Sequence, residues 1–290
     1  METVLDKKGS LRVIDLMKWG ESCFEKNNFE NPKQEIEWLL CDLLERKRAD
    51  LYFNFEDSVS REKLLVLNQW IKKRLNKMPL QYITGKTEFY GNLFFLNQEV
   101  LIPRPETERL VDIALDVINE ITNPRILEIG TGSGCISISL AEKRKDLQIT
   151  ALDISQTALD KAIENSQYHK IYNIDFKHLD ILKEIPYGEY DVIISNPPYI
   201  GQHELNNLMS DVKDFEPLIA LTDNKDGLSF YSRISSIAPM LLRKNGFVIL
   251  EVGLGEHPNQ AYEIFKKNGY KNINLIKDFN NDKRVLKANI

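Results

Sequence analysis

The stretch Tyr190-Asp191-Val192-Ile193-Ile194-Ser195-Asn196-Pro197-Pro198-Tyr199 constrains this chain more than any other. Its first half is an apolar run of the kind that forms a strand buried on both faces of a parallel sheet. Two successive prolines then forbid both continuation of the strand and entry into a helix. The chain must leave the sheet as a stiff, extended turn at a strand's carboxyl end, the edge where open α/β sheets bind ligands. Asn196 offers a side-chain carbonyl there, and the proline segment offers backbone carbonyls, Pro197 among them. Together they can accept both hydrogens of a planar NH2 group, with the Tyr199 ring stacked on the flat group that carries it. A purely structural turn is the competing reading of the four residues taken alone.

A second motif lies upstream. The strand-like Arg125-Ile126-Leu127-Glu128-Ile129 runs into Gly130-Thr131-Gly132-Ser133-Gly134, followed by a helical pattern through Cys135, Ile136, Ile138, Leu140 and Ala141. Glycines let a backbone turn tightly and approach a ligand closely. The spacing is G-x-G-x-G rather than the G-x-G-x-x-G of dinucleotide sites, and Glu128 repels phosphate, so a cationic or hydroxyl-rich ligand suits the loop better. The next strand, Gln148–Asp153, ends in an acid 19 positions after Gly134, where nucleoside-binding folds place the carboxylate that accepts from ribose hydroxyls. Asp180 follows a third strand and can accept from an adenine amino group, or serve as an ordinary loop acid. Glu128, Asp153, Asp180 and Asn196 thus fall at successive strand ends and can line one crevice.

On these residues the chain resembles class I S-adenosylmethionine-dependent methyltransferases. Among them it looks like the protein-(glutamine-N5) methyltransferase family that modifies peptide chain release factors. Further segments carry the resemblance: Pro79-Leu80-Gln81-Tyr82-Ile83-Thr84-Gly85, Phe89-Tyr90-Gly91, Val100 to Glu108 with Pro103-Arg104-Pro105-Glu106-Thr107, Phe215-Glu216-Pro217, Asp226-Gly227-Leu228 and Leu250-Glu251-Val252-Gly253. The match is close over residues 75–290 and only general before that. Two departures concern loops: Asp223-Asn224-Lys225 replaces a usual glycine pair, and Glu256 stands near a usual Gln. The resemblance implies S-adenosylmethionine as cofactor, held by Glu128, Gly130, Thr131, Gly132, Gly134, Asp153, Ile154, Asp180 and Asn196. It implies Asn196, Pro197, Pro198 and Tyr199 as catalytic residues, and no metal. Arg104 and Glu106 lie in a segment the family places beside cofactor and substrate; a plain hairpin-to-helix junction is the alternative. The implied substrate is the Gln of a Gly-Gly-Gln motif in a release factor.

Length and pattern suggest two domains and a linker. Residues 1–80 read as a small helical bundle, a candidate substrate-docking element. Its stripes are Leu11 to Phe24, Ile36 to Leu44 and Leu64 to Leu75; Trp19, Trp38 and Trp70 are expected in its core, Asn31-Pro32 to begin the second helix, and Ser58 or Ser60 the third. Residues 81–103 read as a β-hairpin linker turning at Gly91-Asn92. Residues 104–290 read as a seven-stranded doubly wound α/β sheet, mostly parallel, with strands at 125–129, 148–153, 173–178, 190–195, 246–252, 272–276 and 284–288. The resemblance adds an antiparallel last strand.

Composition narrows the function. The 290 residues carry a net charge of −5, and residues 1–80 are nearly balanced, with 15 Lys/Arg against 14 Asp/Glu. The acidic excess therefore lies in the second half, opposite to a nucleic-acid footprint. Lys72-Lys73-Arg74 and Lys143-Arg144-Lys145 read as solvated helix faces. Cys23, Cys41 and Cys135 lack metal-ligand spacing and point to a reducing cytoplasm. Met1 to Gly9 lacks the apolar stretch of a signal peptide, and no apolar run is long enough to span a membrane. The four histidines lie outside the motifs and read as bystanders, and a monomer is expected. Two competing functions stay open at this level. A nucleic-acid amino-group methyltransferase shares the Asn-Pro-Pro-Tyr device but needs a basic groove. A non-catalytic nucleotide-binding module has no need of an NH2 clamp.

Overall fold

The computed structural model describes residues 11–278 and 280–289, in two compact units. The signal-peptide expectation for Met1 to Gly9 lies outside the described residues. The first unit runs to Gly85 and takes in Ser210–Phe215; the second spans Lys86–Met209 and Glu216–Ile290.

The first unit contains β1 (Leu11–Arg12), α1 (Val13–Glu25), α2 (Pro32–Leu44), α3 (Arg48–Phe53), β2 (Ser58–Val59), α4 (Arg61–Leu75) and α5 (Leu80–Thr84). Leu16, Phe24, Ile36, Leu39, Leu40, Leu51, Leu67 and Ile71 form its core. Ser60 caps α4, its side chain accepting from Lys63 N. At α2 the expectation fails in part. Pro32 takes the first helical position, but the Asn31 side chain makes no capping bond. The tryptophans are not core either: Trp38 is 43% exposed, and Trp19 and Trp70 are only partly buried. The helical stripe turns Glu37 inward instead, where Arg48 Nε donates to its Oε2 at 2.6 Å. Arg74 likewise departs from a solvated face, forming a bidentate pair with Glu35 at 2.6 and 2.8 Å.

In the second unit a hairpin comes first. Strands β3 (Lys86–Phe89) and β4 (Asn92–Phe95) pair antiparallel, and both turn residues, Tyr90 and Gly91, have positive φ. The turn thus sits one residue earlier than the sequence suggests. Nor is 81–103 a linker unit: Leu80–Thr84 is helical, the division falls after Gly85, and Phe89 and Phe94 are fully buried in the second unit's core. Asn165 fixes the hairpin, pairing with the Phe95 backbone at 2.8 and 3.1 Å while donating to Ser133 O at 2.9 Å in the glycine loop.

A 3₁₀ turn at Pro105–Thr107 leads into α6 (Glu108–Val117). Alternation follows: β5 (Arg125–Ile129), α7 (Cys135–Lys143), β6 (Gln148–Asp153), α8 (Gln156–Tyr168), β7 (Ile174–His178), β8 (Tyr190–Ser195). After α9 (Ser210–Phe215), which belongs to the first unit, come α10 (Leu218–Leu221), α11 (Ser229–Leu241), β9 (Leu242–Glu251), α12 (His257–Lys267), β10 (Asn272–Lys277) and β11 (Lys283–Asn289). The seven-stranded sheet has the order β10-β11-β9-β8-β5-β6-β7. It is parallel except for β11, which inserts between β9 and β10 and runs antiparallel to both. The predicted antiparallel pair is therefore present, with the final strand interior to it. Neighbouring residues of β8 serve two cores. Val192 and Ile194 pack with α6 and α7, Ile193 with α11 and α12, so the strand reads as an unbroken apolar run. The strand order reverses between β5 and β8, the switch point at which such sheets open a crevice. Among the described residues no helix is long and apolar enough to cross a membrane.

Candidate active site

A cleft of about 240 Å³ opens at the carboxyl ends of β5, β6 and β8 and at the segment after β7. Gly130, Gly132, Asp153, Ile154, Asp180, Asn196, Pro197 and Pro198 line it. Glu128, Thr131, Gly134 and Tyr199 do not, and the structure gives each a different position.

The glycine loop has two kinds of glycine. All three have positive φ, but only Gly130 and Gly132 face open space where a Cβ would be. A Cβ on Gly134 would stand 3.0 Å from Ile138 and 3.1 Å from Ala162, so this glycine lets α7 and α8 approach. Beneath the loop Glu128 is 1% exposed. Its Oε2 accepts from Thr131 Oγ1 at 2.7 Å and from Ser137 Oγ, while Oε1 has no partner among the described residues. Burial pushes its pKa up to about 7, against the lowering effect of the two hydroxyls. Glu128 and Thr131 thus shape the loop from below rather than forming the cleft wall expected for them.

Asp153 ends β6 and holds the loop from the side. Its Oδ2 accepts from Gly132 N and its Oδ1 from Ser155 N, both at 2.9 Å. Each carboxylate oxygen keeps a second lone pair for a ligand hydroxyl. Desolvation raises the Asp153 pKa, opposed by these backbone donors. Asp180 is partly buried and pairs with Lys183 at 2.9 Å; that bond is the chief reason its pKa falls.

Asn196 leaves β8 half-buried, and its Nδ2 donates to Thr107 Oγ1 at 3.1 Å. Its Oδ1 makes no hydrogen bond among the described residues. The Tyr199 ring is not free to stack on a ligand in the way its place in the motif suggests. The Arg284 guanidinium lies 5.6 Å from its centroid, the His257 ring 5.9 Å, and Arg284 Nη2 donates to its hydroxyl at 3.3 Å. Arg104 pairs with the buried Glu216, whose other oxygen accepts from Ile102 N, so its charge is spent on closing the hairpin-to-helix junction.

Several contributors had weak signals or none. Leu179, Ile181 and Phe230 supply apolar cleft wall, and loop hydrophobes carry no motif. Asp223 lines the cleft and organises the loop that departs from the family pattern, accepting from Lys225 N, Gly227 N and Ser229 N at 2.8–3.0 Å. His257 is no bystander structurally: Gly253 N donates to its Nδ1 at 3.0 Å, so its Nε2 carries the proton toward Gly227 O at 3.2 Å.

The residues present fit S-adenosylmethionine. Open glycine backbone, a carboxylate at Asp153 with lone pairs to spare and apolar wall at Leu179 match a hydroxylated nucleoside.

Comparison with known proteins agrees with this geometry. Residues 15–85 match the family described as PrmC N-terminal domain, and residues 109–212 match Methyltransferase small domain. The chain is 36% identical over 281 residues to the release factor glutamine methyltransferase of Clostridium acetobutylicum, covering 96% of this chain and 98% of that one. It is 34% identical over 287 residues to that of Bacillus anthracis, covering 97% and 100%. With that of Fusobacterium nucleatum identity is 35% over 277 residues, covering 95% and 78%. In fold alone, a methyltransferase from Pyrococcus furiosus superposes with a TM-score of 0.50 at 21% identity, covering 69% of this chain and 89% of that chain. Sequence, domains and cleft converge, and the chain belongs to the release factor glutamine methyltransferase family.

Proposed function

We propose that this enzyme transfers a methyl group from S-adenosylmethionine to the side-chain amide nitrogen (N5) of the Gln in the Gly-Gly-Gln motif of a peptide chain release factor, modulating translation termination. The observation that carries the reading is Asn196-Pro197-Pro198 on the cleft wall at the switch point, with the Asn196 carbonyl oxygen unclaimed.

When bound, S-adenosylmethionine supplies an electrophilic methyl group on a sulfonium. The protein's task is to present a poor nucleophile, since an amide lone pair is delocalised into its carbonyl. Asn196 Oδ1 and the Pro197 carbonyl accept the two amide hydrogens. They fix the nitrogen for in-line attack and stabilise the positive charge that grows on it, which is discharged when one of the two amide hydrogens leaves as a proton to water. Gly130, Gly132, Asp153, Ile154 and Asp180 line the cleft and would hold the cofactor, Asp153 by accepting from ribose hydroxyls and Asp180 by accepting from the base. Glu128, Thr131 and Gly134 serve that site by holding the loop's shape. Tyr199 braces the turn with Arg284 and His257.

The helical first unit is proposed as the docking element for the release factor. The enzyme is proposed to act as a cytoplasmic monomer without binding nucleic acid itself. The free cysteines Cys23, Cys41 and Cys135 and the acidic second half support this.

A methyl-transfer assay tests the reading, with labelled S-adenosylmethionine and three acceptors: an unmodified release factor, its Gln→Ala variant, and DNA or RNA. Label in the wild-type factor alone is expected. Label only in nucleic acid overturns the substrate assignment.

A further inference from the structure

The hydrogen bonds behind Asn196 continue in one direction across the second unit. Asn196 Nδ2 donates to Thr107 Oγ1 at 3.1 Å, Thr107 Oγ1 donates to Glu251 Oε2 at 2.6 Å, and Arg284 Nη2 donates to Glu251 Oε1 at 3.1 Å. Arg284 is a donor only, and an ionised carboxylate is an acceptor only. Glu251 therefore compels the single Thr107 proton to point toward itself. The oxygen of Thr107 is then left to accept, which only the NH2 end of Asn196 can satisfy. An amide side chain can turn over at little intrinsic cost, and its orientation is set by its partners. Here the partners determine it: NH2 toward Thr107, carbonyl oxygen free.

The members are built for this. Thr107 is 2% exposed, Glu251 is fully buried at the end of β9, and Arg284 is 7% exposed on β11. Tyr231 Oη donates to the Glu251 backbone carbonyl at 2.6 Å and fixes the strand end. A buried ion pair is weak evidence for stability but an effective way to impose one arrangement.

We propose that Thr107, Glu251 and Arg284 are positioning residues for methyl transfer, forming a polar relay that holds the Asn196 amide with its oxygen available to the substrate NH2. The inference rests on the role given above to Asn196. None of the three touches the substrate amide in this scheme. Protonation of Glu251 breaks the logic, because a neutral carboxyl can donate to Thr107, whose hydroxyl then donates to Asn196 and turns the amide over. Burial raises the Glu251 pKa, opposed by Thr107 and Arg284. Glu106, Arg104, Tyr199, Tyr231 and His257 are further titratable or charged groups around this cluster.

Wild type, Thr107→Ser, Thr107→Val, Glu251→Gln and Asn196→Ala are compared for kcat and KM on an unmodified release factor, for S-adenosylmethionine affinity by calorimetry, and for melting temperature. Thr107→Ser keeps the hydroxyl and is expected near wild type. Thr107→Val keeps the shape and loses the relay, with kcat down about ten- to hundredfold and cofactor affinity unchanged. Glu251→Gln behaves the same way, since its NH2 can face Thr107 and reverse the chain. A Thr107→Val enzyme with wild-type kcat overturns the relay if Asn196→Ala is inactive; an active Asn196→Ala overturns the site reading itself. Should the Val and Gln variants fail to fold, Thr107→Ser against Thr107→Ala decides: the hydroxyl kept in Ser holds kcat near wild type while Ala lowers it about tenfold at unchanged cofactor affinity, and equal kcat for the two overturns the relay.

Discussion

Gly227 lies against the backbone carbonyl of Tyr199 so closely that a Cβ there would stand 2.2 Å from the oxygen. Its φ is +81°, a value that side-chain-bearing residues adopt only under strain. Three further bonds hold it in place: its N–H donates to Asp223, its carbonyl accepts from His257, and His257 in turn accepts from Gly253. The turn that carries Asn196 is thus clamped from behind by a loop 28 residues later in the chain.

Gly227→Ala is therefore expected to displace the turn rather than merely strain one residue. Backbone strain of this kind costs about 1–3 kcal/mol before any clash is counted. The expected outcome is a lower melting temperature and turnover reduced at least about tenfold, while cofactor affinity falls less. Calorimetry and the methyl-transfer assay check both. Unchanged turnover would mean that the clamp does not position Asn196.

Asn196→Ala removes the proposed side-chain acceptor while leaving the strand and prolines in place. Loss of one preorganised polar group aimed at developing charge lowers kcat by about a hundredfold. Cofactor affinity is expected to stay within about threefold, because that binding is assigned in the proposal to Asp153 and the glycine loop. Single-turnover kinetics with saturating cofactor separate the two effects.

Asp153 has two tasks, and its substitutions divide them. Asp153→Ala removes the proposed ribose acceptor and also frees Gly132 N and Ser155 N, so both affinity and stability are expected to fall. Hydrogen bonds to a charged group are worth about 1.5–3 kcal/mol, so the dissociation constant is expected to rise about tenfold or more. Asp153→Asn keeps one acceptor oxygen and is expected to lie between. Equal affinities for Ala and wild type would remove Asp153 from the cofactor site.

The middle of the sheet was legible because β5, β6 and β8 are short, largely apolar and largely buried runs; 125–129, 148–153 and 190–195 match the structure residue for residue. The cleft followed from where those runs stop, since Asp153 and Asn196 both sit at carboxyl ends of strands. What escaped depends on tertiary partners. Glu128 and Tyr199 occupy motif positions, but their direction is set by Ser137, Arg284 and His257, distant in sequence from Tyr199 or hidden in an ordinary helix. Thr107, Glu251 and Arg284 lie on three separate elements, and no local pattern says that they meet. The Trp38 error has the same origin. Helical periodicity allowed either neighbour inward, and Glu37 found partners in Arg48 and Tyr52.

Glu128 gives the fold a pH dependence of unusual sign. Its pKa is about 7 in the folded protein against an ordinary carboxylate value when unfolded. The folded state therefore binds more protons than the unfolded state between about pH 4.5 and 7. Stability from this group is greatest below that range and is lost as pH rises through it, by an amount on the order of 3 kcal/mol. Glu128→Gln keeps the shape but cannot ionise. Melting temperatures of the two proteins without cofactor are expected to converge at pH 5 and to separate by pH 8, with the Gln variant the more stable. Parallel curves would show that Glu128 stays ionised and that Ser137 and Thr131 outweigh its burial.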